Sequence, residues 1–158
     1  MAEGKITYEQ FLESVALEDK DFVQNLHDFM LEKGCKSAFE AKKSGNLASY
    51  KYGKPPRAVM NFAFRKNGML TRIYGEKAST YPEFLDSLPT EMKEAIASSG
   101  ICKRLVSNTC STKCVGYDFM MDSQNHQKCK YACFLFLTNE NSKPFIKLFI
   151  ANELEGRG

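Results

Sequence analysis

Val59-Met60-Asn61-Phe62-Ala63-Phe64-Arg65-Lys66-Asn67-Gly68-Met69-Leu70-Thr71-Arg72-Ile73-Tyr74 is the stretch on which the fold turns. Apolar residues alternate on both sides of Asn67-Gly68, a dipeptide that accepts the positive φ angles of a two-residue type I′ turn. The resulting register sets Lys66 opposite Met69, Phe64 opposite Thr71 and Phe62 opposite Ile73. One side then carries Met60, Phe62, Phe64, Met69 and Ile73, which is a core face. The other carries Asn61, Arg65, Arg72 and Tyr74, with Ala63 and Leu70. A slip of one residue would turn the phenylalanines to water, so the pattern fixes the register.

Upstream, Thr7 to Leu17 reads as a helix with a capping box, Thr7 as cap and Gln10 three residues on. Phe11, Leu12 and Val15 form its stripe. Glu18-Asp19-Lys20 interrupts, and Asp19 or Asp21 starts a second helix with Phe22, Val23, Leu26, Phe29 and Met30 at helical spacing. Gly34 ends it. His27 lies one residue off that stripe and reads as a surface position without a role. Residues 42–46 read as a turn and Leu47 to Tyr52 as an edge strand. Gly53-Lys54-Pro55-Pro56 cannot continue a ladder, because proline has no donor.

Downstream, Ser79 or Thr80 caps a helix with Pro82 in its first turn, where a missing N–H costs nothing. Phe84, Leu85 and Leu88 face inward and Pro89 stops it. Thr90 caps a shorter helix, with Met92 to Ala97, that ends at Gly100. Gly116 to Met121 and Cys129 to Leu137 read as strands joined by the polar loop 122–127. Asn139-Glu140-Asn141 turns the chain, and Ser142 caps a last helix that buries Phe145, Ile146, Phe149 and Ile150. Thr80-x-Pro82 and Ser142-x-Pro144 are parallel features of two ββα units, at 47–98 and 115–156, after an N-terminal helical pair at 1–34. The expectation is a single α+β domain over 1–158. Its sheet is single and mostly antiparallel, built from two hairpins, with helices on one face.

The 158 residues suffice for a core that needs no staples. A net charge of +3 does not announce a nucleic-acid binder. No apolar run approaches the roughly 20 residues of a membrane-spanning helix. Residues 1–5 lead into an amphipathic stretch with carboxylates, where a secretory signal would need an apolar run. The expected compartment is therefore the cytoplasm, where the six cysteines are thiols.

Five of those cysteines are Cys102, Cys110, Cys114, Cys129 and Cys133; Cys35 stands apart. The last four of the five form two C-x3-C pairs. Zinc holds four thiolates at about 2.3 Å each, so their sulfurs must converge. If Cys129 and Cys133 share a strand, they stand about 13 Å apart and cannot share an ion. The metal set that remains is Cys102, Cys110, Cys114 and Cys129, with His126 as an alternative ligand. The competing reading packs Cys133 as a small core hydrophobe between Tyr131 and Leu135. No C-x2-C knuckle or thioredoxin-like motif occurs. Zinc is the one cofactor the spacing admits, and the expectation is that none is needed.

A thiol nucleophile needs a nearby base, and the chain offers His126, three residues from Cys129. There is no Gly-rich phosphate loop and no G-x-S-x-G. Between Lys33 and Lys77 basic residues outnumber acidic ones: Lys51, Lys54, Arg57, Arg65, Lys66 and Arg72 interleave with Tyr50, Tyr52 and Tyr74. Aromatics beside arginines on a sheet can hold an anionic or planar ligand. Tyr50, Tyr52, Arg65, Arg72 and Tyr74 are thus the candidate ligand-binding residues.

The runs Ser49-Tyr50-Lys51-Tyr52-Gly53-Lys54-Pro55, Asn61-Phe62-Ala63-Phe64-Arg65-Lys66-Asn67-Gly68 and Arg72-Ile73-Tyr74-Gly75 resemble small bacterial α+β proteins of the YdhG-like type. The likeness covers about a third of the chain and leaves out the cysteine-bearing half. It implies a bacterial cytosolic domain, of a kind proposed to bind iron or a small ligand, and supplies no catalytic residue. The functional expectation is a non-enzymatic module that binds a small molecule in a crevice between the two ββα halves. A zinc-stabilised interaction or nucleic-acid-binding domain and a cysteine-dependent enzyme are the alternatives. Nucleic acid is not the expected partner, because acidic helices over 7–32 balance the basic stripe.

Overall fold

The structure, a computed structural model, describes residues 4–66, 68–99, 116–130 and 132–158. Six strands form one antiparallel sheet in the order β1 (Gly4–Lys5), β2 (Lys36–Lys42), β3 (Gly45–Tyr52), β4 (Arg57–Arg65), β5 (Gly68–Ile73) and β8 (Leu135–Leu137). Strands β6 (Tyr117–Met121) and β7 (Gln124–Lys128) pair only with each other. The described helices are α1 (Tyr8–Glu13), α2 (Leu17–Glu32), α3 (Pro82–Asp86), α4 (Thr90–Ser98) and α5 (Lys143–Arg157). The chain therefore has the α+β architecture expected, an antiparallel sheet with helices packed against it.

Side-chain alternation divides the sheet into two faces. Phe39, Ala48, Tyr50, Met60, Phe62, Met69, Ile73 and Phe136 point to one side and are buried. Helix α1 reaches this side through Phe11, whose ring lies 5.6 Å from Phe39 and 6.3 Å from Phe62. Helix α2 adds Phe22, 6.2 Å from Phe62. Helix α5 adds Phe149, 6.2 Å from Phe136 and 4.8 Å from Phe134. Lys143 ties α5 to the start of α2, donating to Asp19 and to the Glu18 carbonyl at 2.9 Å each.

The capping box at Thr7 and Gln10 forms as expected, and Gly34 follows α2 with φ +94°. Helix α2 itself starts earlier than its carboxylates indicate: Ala16 is its N-cap, with no side-chain cap. Helix α3 is capped at Tyr81, because the Thr80 hydroxyl turns back to the Lys77 carbonyl at 2.6 Å. Helix α4 begins at Thr90, with Pro89 as its cap residue.

The central hairpin is displaced from the expected register. Arg65 pairs with Gly68, Phe64 with Met69, Phe62 with Thr71 and Met60 with Ile73. Gly68, at φ +126°, joins the ladder rather than the turn; residue 67 lies outside the described residues. A displacement of two preserves which way every side chain points, so the core face is the one the alternation gives.

Two strand assignments change. Leu47 to Tyr52 belongs to an interior strand, since β2 pairs along its whole length. The second hairpin closes at Asp122 and Ser123, both at positive φ (52° and 65°), and stands as a sheet of its own. Cys129, Lys130 and Ala132 to Phe134 are not strand. Ala132 and Cys133 both donate to the Cys129 carbonyl, at 3.1 and 3.0 Å, making a helix-like turn, and only Leu135–Leu137 joins the main sheet.

Candidate functional site

The second face of the main sheet carries a set of basic side chains. Register places Lys36, Ala38, Glu40 and Lys42 of β2 on it, then Leu47, Ser49 and Lys51 of β3. Asn61, Ala63 and Arg65 of β4, Leu70 and Arg72 of β5, and Leu135 and Leu137 of β8 complete it. The described helices that contact the sheet's phenylalanines do so from the opposite side.

A polar cluster sits near the middle of this face. Arg72 Nη1 donates to Asn61 Oδ1 at 3.2 Å, and Asn61 Nδ2 donates to the Tyr74 hydroxyl at 3.4 Å. Asn61 is buried, and Arg72 and Tyr74 are half-buried. Arg65 stands exposed at the far end of β4 with one guanidinium nitrogen on the Phe64 carbonyl, 2.9 Å away. A guanidinium, a carboxamide and a phenol next to one another offer donors to a carboxylate or phosphate and an edge for a planar group.

The five candidate ligand-binding residues are split by the sheet. Arg65, Arg72 and Tyr74 share this basic face. Tyr50 lies on the other side with no exposure, its hydroxyl 2.8 Å from His27 Nδ1. Tyr52 also turns toward the helices and lines a cleft with Phe29, Lys33, Ala151 and Leu154. Tyr50 became interior because β2 covers β3, the strand that the sequence had left at an edge. Asn61 is the member that sequence reading set among the outward residues without assigning it to the site.

His27 is not a surface residue. It is 7% exposed, stacks on Tyr8 at 4.0 Å between ring centres, and touches Phe39. Burial pulls its pKa below the ordinary value, while the carboxylates of Asp28 and Glu9 act in the opposite sense. Burial likewise pushes the Tyr50 phenol up.

Of the candidate metal ligands, Cys102, Cys110 and Cys114 lie outside the described residues. Cys129 is half-buried and carries a free thiol. Among the described residues, no three His, Cys, Asp or Glu side chains are grouped to hold a metal ion. The expected strand separation of Cys129 and Cys133 does not apply, since a helix-like turn of four residues rises only about 6 Å. Cys133 is fully buried, as the core reading has it, and burial raises its pKa, with the neighbouring Cys129 adding to the shift. Cys35 is pushed up to about 11 by burial. Both shifts oppose the thiolate that a nucleophile or metal ligand requires. His126 stacks on Phe119 at 5.5 Å.

A third polar group fastens the fold. Glu153 has no exposure; its carboxylate accepts from the Lys77 N–H at 3.0 and 3.2 Å, the Tyr81 hydroxyl at 2.5 Å and Arg157 Nε at 2.7 Å. Arg157 then donates through Nη2 to the carbonyls of Ala58 at 2.9 Å and Tyr74 at 2.7 Å. Among the described residues no buried side-chain nitrogen or oxygen lacks a partner, and here the partners lie inside the protein, as a structural clamp requires.

No described helix is long and apolar enough to cross a membrane. No protein-family model, curated protein or solved structure matches the chain.

Proposed function

We propose that this chain is a non-enzymatic binding module that takes a small anionic ligand on the basic face of its sheet, at Asn61, Arg72 and Tyr74. The observation that carries the reading is the hydrogen-bonded run from Arg72 through Asn61 to Tyr74 on the face opposite the helices. A guanidinium held by a neighbouring carboxamide is oriented before the ligand arrives, which lowers the ordering cost of binding.

The proposal places the protein in a cytoplasmic, reducing setting and needs no resident zinc. A nucleic acid is not the proposed ligand, because α1 and α2 carry Glu9, Glu13, Glu18, Asp19, Asp21, Asp28 and Glu32 against Lys20 alone.

Native mass spectrometry of the purified full chain tests this directly. The expected result is a sub-kilodalton anionic adduct, lost in Arg72→Gln, with less than one zinc per chain. Titration with benzoate and with inorganic phosphate would then separate carboxylate from phosphate recognition. A chain that carries no adduct and binds neither anion, or an Arg72→Gln variant that binds as well as the wild type, removes the reading. So does an oligonucleotide complex with steep salt dependence.

A further inference from the structure

We infer that a different part of the same face, a cross-strand apolar row, is the docking surface for an acidic amphipathic helix of a partner protein. Register sets Glu40 opposite Leu47, Leu47 opposite Ala63, Ala63 opposite Leu70 and Leu70 opposite Leu137. Four apolar side chains therefore stand in one line across β3, β4, β5 and β8. At about 4.8 Å between strands the line is roughly 14 Å long. That is the length of roughly ten helical residues at 1.5 Å each, enough for apolar positions i, i+3 or i+4, and i+7. Leu137 is 42% exposed, Leu47 and Leu70 are half-buried, and Ala63 between them is buried, a small residue that forms the floor of the line.

The borders of the line are basic. Lys42 and Arg65 stand one row away on one side. Arg72 stands one row away on the other, with Lys36 and Lys51 beyond. The carboxylate on this part of the face, Glu40, sits at the end of the line, paired with Lys42 at 2.8 Å. An apolar stripe with cations on both sides complements a helix with an apolar stripe and carboxylates on both sides.

Other occupants fit less well. Single-stranded nucleic acid stacks its bases on aromatic rings, and the line contains none. The outer side of α2 in a second copy offers Leu17 and Leu31, about 21 Å apart, with Asp21, Gln24 and Asp28 between them. It cannot cover a continuous apolar line.

The test uses a fluorescent 14-residue synthetic helix with leucine at three helically spaced positions and glutamate elsewhere, titrated with the full chain and followed by anisotropy. A lysine-for-glutamate version is the control. Binding of the glutamate helix alone is expected, weakened at least tenfold by Leu137→Glu and by Arg65→Glu, and weakened by salt. Both substitutions lie at exposed positions, and Arg65→Glu decides the matter if Leu137→Glu fails to fold. The Leu137→Glu variant should still bind benzoate or phosphate at Asn61, Arg72 and Tyr74, so failure here and failure of the small-ligand reading are distinguishable. No binding of the glutamate helix, equal binding of the lysine helix, or unchanged affinity in both variants overturns the inference. Concentration-dependent dimers dissolved by Leu137→Glu would overturn it in favour of a second copy.

Discussion

Tyr81 and Glu153 meet through a hydrogen bond of 2.5 Å at a point that water does not reach. The same carboxylate receives Arg157 one turn further along α5, so a buried ion pair within α5 is tied by the Tyr81 phenol to the start of α3. Removing one partner of such a pair leaves the other charge buried, which costs about 3–5 kcal/mol. Glu153→Ala is therefore expected to lower stability by that order, and Tyr81→Phe by about 1–3 kcal/mol. Urea denaturation followed by circular dichroism measures both. A Glu153→Ala variant with an unchanged midpoint would show that the clamp holds nothing.

The burial of His27 makes stability depend on pH. Burial lowers the His27 pKa in the folded chain, so the folded state prefers the neutral ring. The unfolded chain takes up the proton first as pH falls below about 6.5. Stability from this residue is therefore fully present above that value and is lost as pH falls toward the folded pKa. The urea midpoint of the wild type should be lower at pH 5.5 than at pH 7.5, with part of the difference absent in His27→Phe. An identical pH dependence in the variant would assign the effect elsewhere.

Thiol reactivity should follow burial. Cys35 and Cys133 are buried with raised pKa values, whereas Cys129 is half-buried. Brief treatment of the native protein with iodoacetamide, followed by peptide mass mapping, should modify Cys129 well ahead of Cys35 and Cys133. Denaturant should bring the three to similar rates. Prompt labelling of Cys133 in the native protein would contradict its place in the core.

Gly75 connects the end of β5 to the region under α5. A Cβ there would lie 2.7 Å from Phe134 Cε2 and 3.0 Å from Phe134 Cδ2. Phe134 is itself fixed between Phe119 and Phe149, at 5.1 and 4.8 Å, and has little room to yield. Gly75→Ala is expected to destabilise by about 1–3 kcal/mol, as overpacked cores do. Thermal melting checks it, and a Gly75→Ala, Phe134→Leu double variant should recover part of the loss.

The legible parts of this fold are those where local chemistry and tertiary environment agree. The alternation through Met60, Phe62 and Phe64 defined the core face, and Thr7 with Gln10 defined the first helix start. Strand β2 was hidden because Lys36-Ser37-Ala38-Phe39-Glu40-Ala41-Lys42 has one large apolar residue, so its burial comes from neighbours rather than pattern. With β2 unseen, Tyr50 looked peripheral and His27 idle. The turn at Asp122 and Ser123 lacks the glycine that announces positive φ. Cys129 to Leu137 alternated enough to read as one strand, yet its first half closes a backbone turn that no side chain signals. For the candidate site, the shared face of Arg65, Arg72 and Tyr74 was readable from parity alone. Asn61 joined them through a hydrogen bond that parity cannot supply.

Arg157 fastens carbonyls at positions 58 and 74, which precede it by 99 and 83 residues. The strands so fastened are neighbours in the chain and can assemble from short-range contacts, but their fastener comes far later. During vectorial synthesis β2 to β5 emerge with part of the phenylalanine face still awaiting α5. An unfinished intermediate of this kind exposes sticky surface. The expected vulnerable period in the life of the molecule is thus its birth. Chaperone demand should peak while α5 is still being translated and fall once that helix seats.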